Sequence, residues 1–340
     1  MKMNTTKPKI SICIPTFNRS DLLDKTLQSV ANQSQKPYEV IVVDNHSTDA
    51  TPDVVKKYKK HGFKYFRNKK NLGFVGNWNK CLDLSNGNYI CILHSDDIIS
   101  RDWYKDWEKI IGKYPNVDAF FSPWAFINLK NQVTSVYFPF SKSQLFKRNK
   151  VIKEFYSKNV LSPQVSGGLI LHKDLFKNDQ IGRFQPKLET EADIAMFFPL
   201  MTHYSLYYYN KLLLGYRIHP YQTVDKKVEN SNKEKFVMRA ERYVNYLHKF
   251  YYNDLVPTIG DYDLFYKKLL IYYQIRSIFR SFTFKRNVLS DVNNIIYKYF
   301  PSMKNGYNTY LYVIMGVEVL RREIMGRLIA SKYKDIFTND

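Results

Sequence analysis

The chain has 340 residues, 44% of them hydrophobic, and carries 52 Lys and Arg against 31 Asp and Glu for a net charge of +21. That apolar content supports a packed core and excludes a disordered chain, and the length allows one large domain or two modest ones. Cys13, Cys81 and Cys91 show neither a disulfide framework nor a metal-ligand spacing, which points to a reducing, cytoplasmic compartment. Met1 to Pro8 has no apolar leader, and the apolar run near Tyr310 is broken by Glu318, so neither secretion nor membrane insertion is expected. The basic excess is spread over both halves of the chain. Nucleic acid, anionic lipid and phosphorylated small molecules are the partner classes that suit such a field.

In chain order, Lys9 to Thr16 predicts a strand, broken by the turn Pro15-Thr-Phe-Asn-Arg-Ser, and a helix follows with Ser20 as N-cap and Leu22, Leu23, Thr26, Leu27 and Val30 at helical spacing. Glu39 to Val43 is a second buried strand ending at Asp44. Thr51 to His61 predicts a basic-faced helix, and Phe63 to Arg67 a short strand. The loop Asn71-Leu-Gly-Phe-Val-Gly-Asn-Trp-Asn leads into a helix through Cys81, Leu82 and Leu84. Asn86-Gly87 turns the chain into Tyr89 to Leu93, an unbroken apolar run of the kind buried on both faces of a parallel sheet.

Asp96 and Asp97 stand just past that strand. Taken alone they could merely cap the helix that starts near Trp103. The strand–helix alternation, however, predicts a mostly parallel sheet sandwiched by helices. Asp44, Asp96 and Asp97 then converge on its carboxyl edge, where open α/β sheets bind ligands. Adjacent hard oxygen donors there suit Mg²⁺ or Mn²⁺ carrying a phosphorylated substrate.

Four segments in this order, Ile12 to Arg19, Val40 to Asp49, Asn71 to Asn79 and Leu93 to Asp97, resemble the nucleotide-sugar-binding half of a family 2 glycosyltransferase of the bacterial surface-polysaccharide type. The resemblance implies a GT-A (Rossmann-like) α/β fold with a helical C-terminal extension. It also implies that the Pro15-Thr16 turn and Asp44 hold the nucleoside, and that Asn18, Arg19, Asn71, Gly73, Asn77 and Ser95 belong to the same nucleotide-sugar site. Asp96 and Asp97 would form the DxD-type element for ribose and metal, with Asp96 the principal ligand. Relatives often carry Asp where this chain has His94, so the motif reads His-Ser-Asp-Asp.

Beyond Trp103, Val117 to Ile127 and Val133 to Phe138 predict a hairpin about Lys130-Asn131, and Ser143 to Asn159 a basic amphipathic helix. Val165-Ser-Gly-Gly-Leu-Ile-Leu-His returns to a strand whose glycines permit close approach. Glu189, Glu191 and Asp193 open a helix with Ile194, Phe197, Phe198 and Met201 on its inner face. Each acid alone is explained by favourable charge at a helix N-terminus. The resemblance implies that one of them is the catalytic base, with Glu191 at that position and Asp193 as second choice. Ser205 to Tyr209 and Leu212 to Arg217 predict a final strand pair. In the family a segment like Tyr216-Arg-Ile-His closes the site, which makes Arg217 and His219 candidates for the diphosphate or metal.

From Asn230 on, Lys233 to Tyr252, Asp261 to Phe282, Val288 to Tyr299 and Tyr307 to Lys334 predict helices, giving a catalytic domain over 1–225 and a helical region over 226–340. The basic, aromatic faces of that region fit a membrane surface, an acceptor or a homo-oligomer contact.

The function implied is inverting transfer of a sugar from a UDP-, dTDP-, GDP- or CDP-linked donor to a hydroxyl of a glycan acceptor, polyprenyl-diphosphate-linked, in O-antigen- or capsule-type synthesis. The enzyme would be cytoplasmic and peripheral on the inner face of the membrane. Two rivals come from other classes. A nucleic-acid-binding protein fits the basic, aromatic composition but not acids at successive strand ends, so no nucleic-acid partner is expected. A sugar-phosphate nucleotidyltransferase would need a Gly-rich phosphate loop after the first strand, and Pro15-Thr-Phe-Asn-Arg is a poor substitute.

Overall fold

The structure is a computed structural model that describes residues 7–148, 166–177, 181–186, 192–219 and 324–337. The chain divides into two units, one of Met1–His219 with Ile329–Asp340 and one of Pro220–Leu328. The helices expected between 226 and 323 lie outside the described residues.

Strands β1 (Ile10–Thr16), β2 (Glu39–Asp44) and β4 (Tyr89–Ile92) are buried along their whole lengths, as the unbroken apolar runs require of strands covered on both faces. With β3 (Lys64–Arg67) they form a parallel block in the order β3-β2-β1-β4. Ile12 pairs with Val40 on one side and Cys91 on the other. Helices α1 (Ser20–Ala31), α2 (Thr51–Lys57) and α3 (Gly73–Leu84) make the connections. Helix α1 buries Leu23, Thr26, Leu27 and Val30 at the spacing of one helical face. Its N-terminus is satisfied from a distance, because Asp49 Oδ2 accepts the Ser20 N–H at 2.9 Å. The predicted helix to His61 stops at Lys57, and Lys59–His61 tightens into a 3₁₀ turn closed by Gly62 at φ 79°.

Because the chain moves outward from β1 to β3 and returns to place β4 on the other side of β1, the strand order switches between β1 and β4. Crevices form at the carboxyl end of such a switch point.

The same sheet continues through β10 (Leu169–His172), β6 (Ala119–Phe121), β11 (Leu206–Tyr208) and β9 (Gln144–Phe146), with β10 antiparallel to both β4 and β6. A smaller sheet runs β5 (Ile98–Ile99), β12 (Leu214–Arg217), β7 (Trp124–Ile127) and β8 (Val133–Tyr137). The predicted hairpin forms between β7 and β8, but the expected Val117–Ile127 strand is split, and its Ala119–Phe121 part joins the large sheet as β6. Helices α4 (Trp103–Lys113) and α5 (Ala192–His203) follow the expected positions.

Two expectations are corrected. The segment starting at Ser143 does not open a helix. Phe146 is drawn into an aromatic cluster with Phe121 and Phe140, and Gln144–Phe146 becomes an edge strand on β11. Nor do β11 and β12 pair with each other. Tyr207 registers with Phe120 in the large sheet, whereas Gly215 registers with Ala125 in the small one, so residues 209–213 carry the chain between sheets.

The main core gathers Ile12, Leu27, Trp103, Trp107 and Phe120. A second cluster, Ile98, Ala125, Ile127, Val136 and Leu212, is closed by Phe337, with Ile329, Tyr333 and Ile336 packed against it. The C-terminal 3₁₀ turn Ala330–Tyr333 thus returns to β8 of the first unit. Among the described residues no helix is long and apolar enough to cross a membrane.

Candidate active site

The site sits at the switch point. After Ile92 the chain leaves β4, and the main-chain N–H of His94 is held by Ser166 Oγ at 2.9 Å. Gly167, at φ +58°, donates its N–H to the Ile92 carbonyl at 2.8 Å and accepts from Trp103 Nε1 at 2.8 Å. A Cβ there would lie 2.8 Å from the Leu214 side chain and 3.0 Å from that of Leu93, so both the positive φ and the packing at the exit of β4 require glycine at 167.

Asp96 and Asp97 are both buried. Asp96 Oδ2 pairs with Arg19 Nη1, from the turn after β1, and lies 3.0 Å from His219 Nε2. Burial alone would raise the Asp96 pKa. The His219 hydrogen bond and the nearby Arg19 charge outweigh it and hold the group down at about 2. Asp97 is the opposite case. Burial and the Asp96 charge beside it push its pKa well above the usual carboxylate range. Its Oδ1 accepts the Arg217 N–H at 2.8 Å, while its Oδ2 has no hydrogen-bond partner among the described residues. The Oδ2 atom faces His94 Nδ1 at 3.9 Å, and burial lowers the pKa of that histidine, keeping it neutral.

His94, Asp96 and Asp97 each offer a ligand atom, all within 4.8 Å of one another. Two carboxylates, one with an unpartnered buried oxygen, beside a neutral imidazole are a donor set that fits a divalent cation.

Asp44 is buried at the end of β2, level with Thr16 of β1. Its Oδ1 accepts the Ser47 N–H at 2.9 Å and its Oδ2 the Tyr65 hydroxyl at 2.6 Å, with Arg67 Nε 3.5 Å away. Asn18, at φ 48°, brings its Oδ1 to the Thr48 N–H at 2.8 Å and so joins the β1 turn to the loop after Asp44. Pro15 and Thr16 end β1, and Thr16 Oγ1 is buried without a hydrogen-bond partner among the described residues. Ser95 is buried beside Asp96.

The remaining sequence candidates divide. Asn71, Gly73 and Asn77 belong to an amide network: Asn77 donates to the Val43 carbonyl at 2.9 Å and accepts from Asn68 at 2.9 Å, while Asn71 Oδ1 accepts the Gly73 N–H at 2.8 Å and Asn45 Nδ2 at 2.7 Å. These side chains brace the loops around β2. The Arg217 guanidinium is fully buried; it donates to the Asp96 carbonyl at 2.7 Å and the Asn128 carbonyl at 2.8 Å, so it positions the acidic pair from behind. Asp193 stands in the first turn of α5, and Glu189 and Glu191 lie outside the described residues.

The sequence reading missed Asn45 and Asn68, whose polar loop positions gave no sign of a shared network. It treated His94 only as a departure from a motif. A histidine standing where an acidic pair begins was the available signal that it belongs to the donor set.

The fold defines the class as GT-A. Residues 11–178 belong to the Glycosyl transferase family 2 sequence family, on a GT-A fold. The chain is similar, at 42% identity over 93 residues, to the Campylobacter jejuni GalNAc(5)-diNAcBac-PP-undecaprenol beta-1,3-glucosyltransferase, covering 26% of this chain and 30% of that protein. It is 38% identical over 121 residues to the Staphylococcus aureus poly(ribitol-phosphate) beta-N-acetylglucosaminyltransferase TarP, covering 31% and 36%. These alignments therefore span about a third of each relative. The solved structure of S. aureus TarS 1–349 in complex with UDP-GlcNAc has the same fold, with TM-score 0.55 and 16% identity over 96% of this chain and 92% of that one.

Proposed function

We propose that the chain transfers a sugar, with inversion, from a nucleoside-diphosphate donor to a hydroxyl of a glycan acceptor in surface-polysaccharide synthesis. The observation that carries this is the buried Asp96–Asp97 pair at the switch point of a family 2 domain, with Arg19 and His219 converging on one Asp96 oxygen. Mn²⁺ or Mg²⁺ held by Asp96 and Asp97, with His219 beside them, would supply a positive charge that neutralises the departing diphosphate.

The chain's own groups do the rest. Thr16 and the Asp44 loop line the nucleoside end of the edge. Arg19 stands with its side chain about one-fifth exposed, where it can pass from Asp96 to a phosphate oxygen and stabilise charge as the C1–O bond breaks. Arg217 keeps both aspartates in place. Glu191, or Asp193 two residues on, is the base that takes the acceptor proton, a contribution of about 10²–10⁴-fold. The acceptor oxygen forms the new bond to C1 as the C1–O bond to the diphosphate breaks, the electron pair of that bond leaves on the nucleoside diphosphate, and no enzyme nucleophile is needed.

The acceptor reading follows the Campylobacter relative, whose name carries a PP-undecaprenol acceptor. A net charge of +21 suits a diphosphate-linked acceptor at an anionic membrane surface, with the region over 226–340, whose sequence predicts helices, as the contact or as a homo-oligomer interface.

The test is release of nucleoside diphosphate from a panel of UDP-, dTDP-, GDP- and CDP-sugars with Mn²⁺ or Mg²⁺. Cation-dependent release from one donor, abolished in Asp96→Ala and strongly slowed in Glu191→Ala, is expected. Failure of every donor to bind, by thermal shift with cation present, overturns the reading.

A further inference from the structure

We propose that His94 supplies an imidazole nitrogen to the divalent cation and thereby decides which cation the site takes, favouring Mn²⁺ and the later first-row metals over Mg²⁺. The inference rests on the cation reading above and adds to it a ligand and a selectivity.

The His94 ring is fixed without any hydrogen bond from its nitrogens to the described residues. It stacks on the Trp78 indole, centroids 5.4 Å apart and planes 13° from parallel. Trp78 is held in turn by the edges of Phe74 at 5.3 Å and Phe184 at 5.2 Å, and the His94 main chain is tied to Ser166. Nε2 is buried with no partner, and Nδ1 faces Asp97 Oδ2 across 3.9 Å, too long for a hydrogen bond. The Asp97 side chain is 1% exposed, and that oxygen also lacks a partner.

The buried Asp97 Oδ2, without the bond that burial demands, is therefore held facing an imidazole nitrogen too distant to bond it. A cation with ligand bonds of about 2.0–2.2 Å spans such a gap, satisfies that oxygen and takes Nδ1 as a ligand.

The chemistry follows from the nitrogen. Mg²⁺ demands a near-octahedral set of oxygens, whereas imidazole suits softer divalent ions. One nitrogen placed in an aspartate pair tilts the site away from Mg²⁺.

The test uses the full chain and Mn²⁺ alone. Pulsed electron paramagnetic resonance of the bound ion should show modulation from a directly coordinated imidazole nitrogen, lost in His94→Asp and retained in His219→Gln. Competition should show Mn²⁺ preferred over Mg²⁺ by about tenfold or more in the parent chain, and by less in His94→Asp, whose donors are all oxygen. Mn²⁺ binding without nitrogen modulation, or with modulation that survives His94→Asp, overturns the proposal and leaves the cation reading standing. Absence of Mn²⁺ binding overturns both. Should His94→Asp fail to fold, His219→Gln decides: retained modulation assigns the nitrogen to His94, and loss assigns it to His219 and overturns the proposal.

Discussion

Arg217 and Asp97 are joined through the main chain, the N–H of one donating to Oδ1 of the other at 2.8 Å, while the Arg217 side chain reaches past to the Asp96 carbonyl at 2.7 Å. One residue of β12 therefore grips both members of the acidic pair. Replacing it by Met strips a buried network of its cation and should cost about 3–5 kcal/mol in denaturant unfolding. Arg217→Lys should recover little of this, since an ammonium cannot reproduce the fork that spans two carbonyls. A lysine variant as stable as the parent would show that the contact is incidental.

Asp97→Asn separates folding from cation binding. The amide keeps an acceptor for the Arg217 N–H and removes the charge that burial and Asp96 already disfavour. The melting temperature without cation should hold or rise, while Mn²⁺ affinity falls. A lowered melting temperature with affinity intact would contradict this assignment.

Glu39 links β2 to its surroundings by accepting from Ser11 Oγ at 2.6 Å, Lys64 Nζ at 2.6 Å and the Asn86 N–H at 2.8 Å. Burial acts to raise its pKa, yet these bonds bring it down from 4.5 to about 2. A depressed folded-state pKa adds stability that is present above the unfolded value and is lost as pH falls through the folded one. Glu39→Gln should therefore lower stability at neutral pH, and the gap to the parent should close between pH 4.5 and about 2. Urea melts across that range provide the measurement.

Asn77→Ala would remove the side-chain donor to the Val43 carbonyl and one of the two acceptors of the Asn68 amide, Asn45 Oδ1 remaining as the other. The expected loss is about 1–3 kcal/mol. Substrate affinity should change only through displacement of the loops around β2, which a comparison of KM with denaturant stability would reveal.

The parallel block was legible because its strands are short apolar runs punctuated by polar turns, and Asp44, Asp96 and Asp97 follow from strand ends alone. Pairing beyond β4 was not. Leu169–His172 looks like any buried strand, and nothing local says that it runs antiparallel between β4 and β6. Phe146 sits in a helix-like pattern but is claimed by aromatic partners distant in sequence. Arg19 was placed at the site from its motif, but its pairing with Asp96 depends on the turn after β1 folding over the end of β4. Asp49 as the cap of α1 is equally non-local, since Ser20 itself was the nearer candidate.

Phe337 closes the apolar cluster behind β5, β7, β8 and β12, the sheet that carries Arg217 and begins just after Asp97. During synthesis that sheet waits for its lid until residue 337 clears the ribosome, long after the strands themselves have emerged. Its apolar face is a natural client surface for a chaperone over that interval. A protein cut after His219 would keep every residue of the acidic cluster and lose this cover permanently, so aggregation, rather than a failure of chemistry, is the expected fate of so plausible a domain boundary.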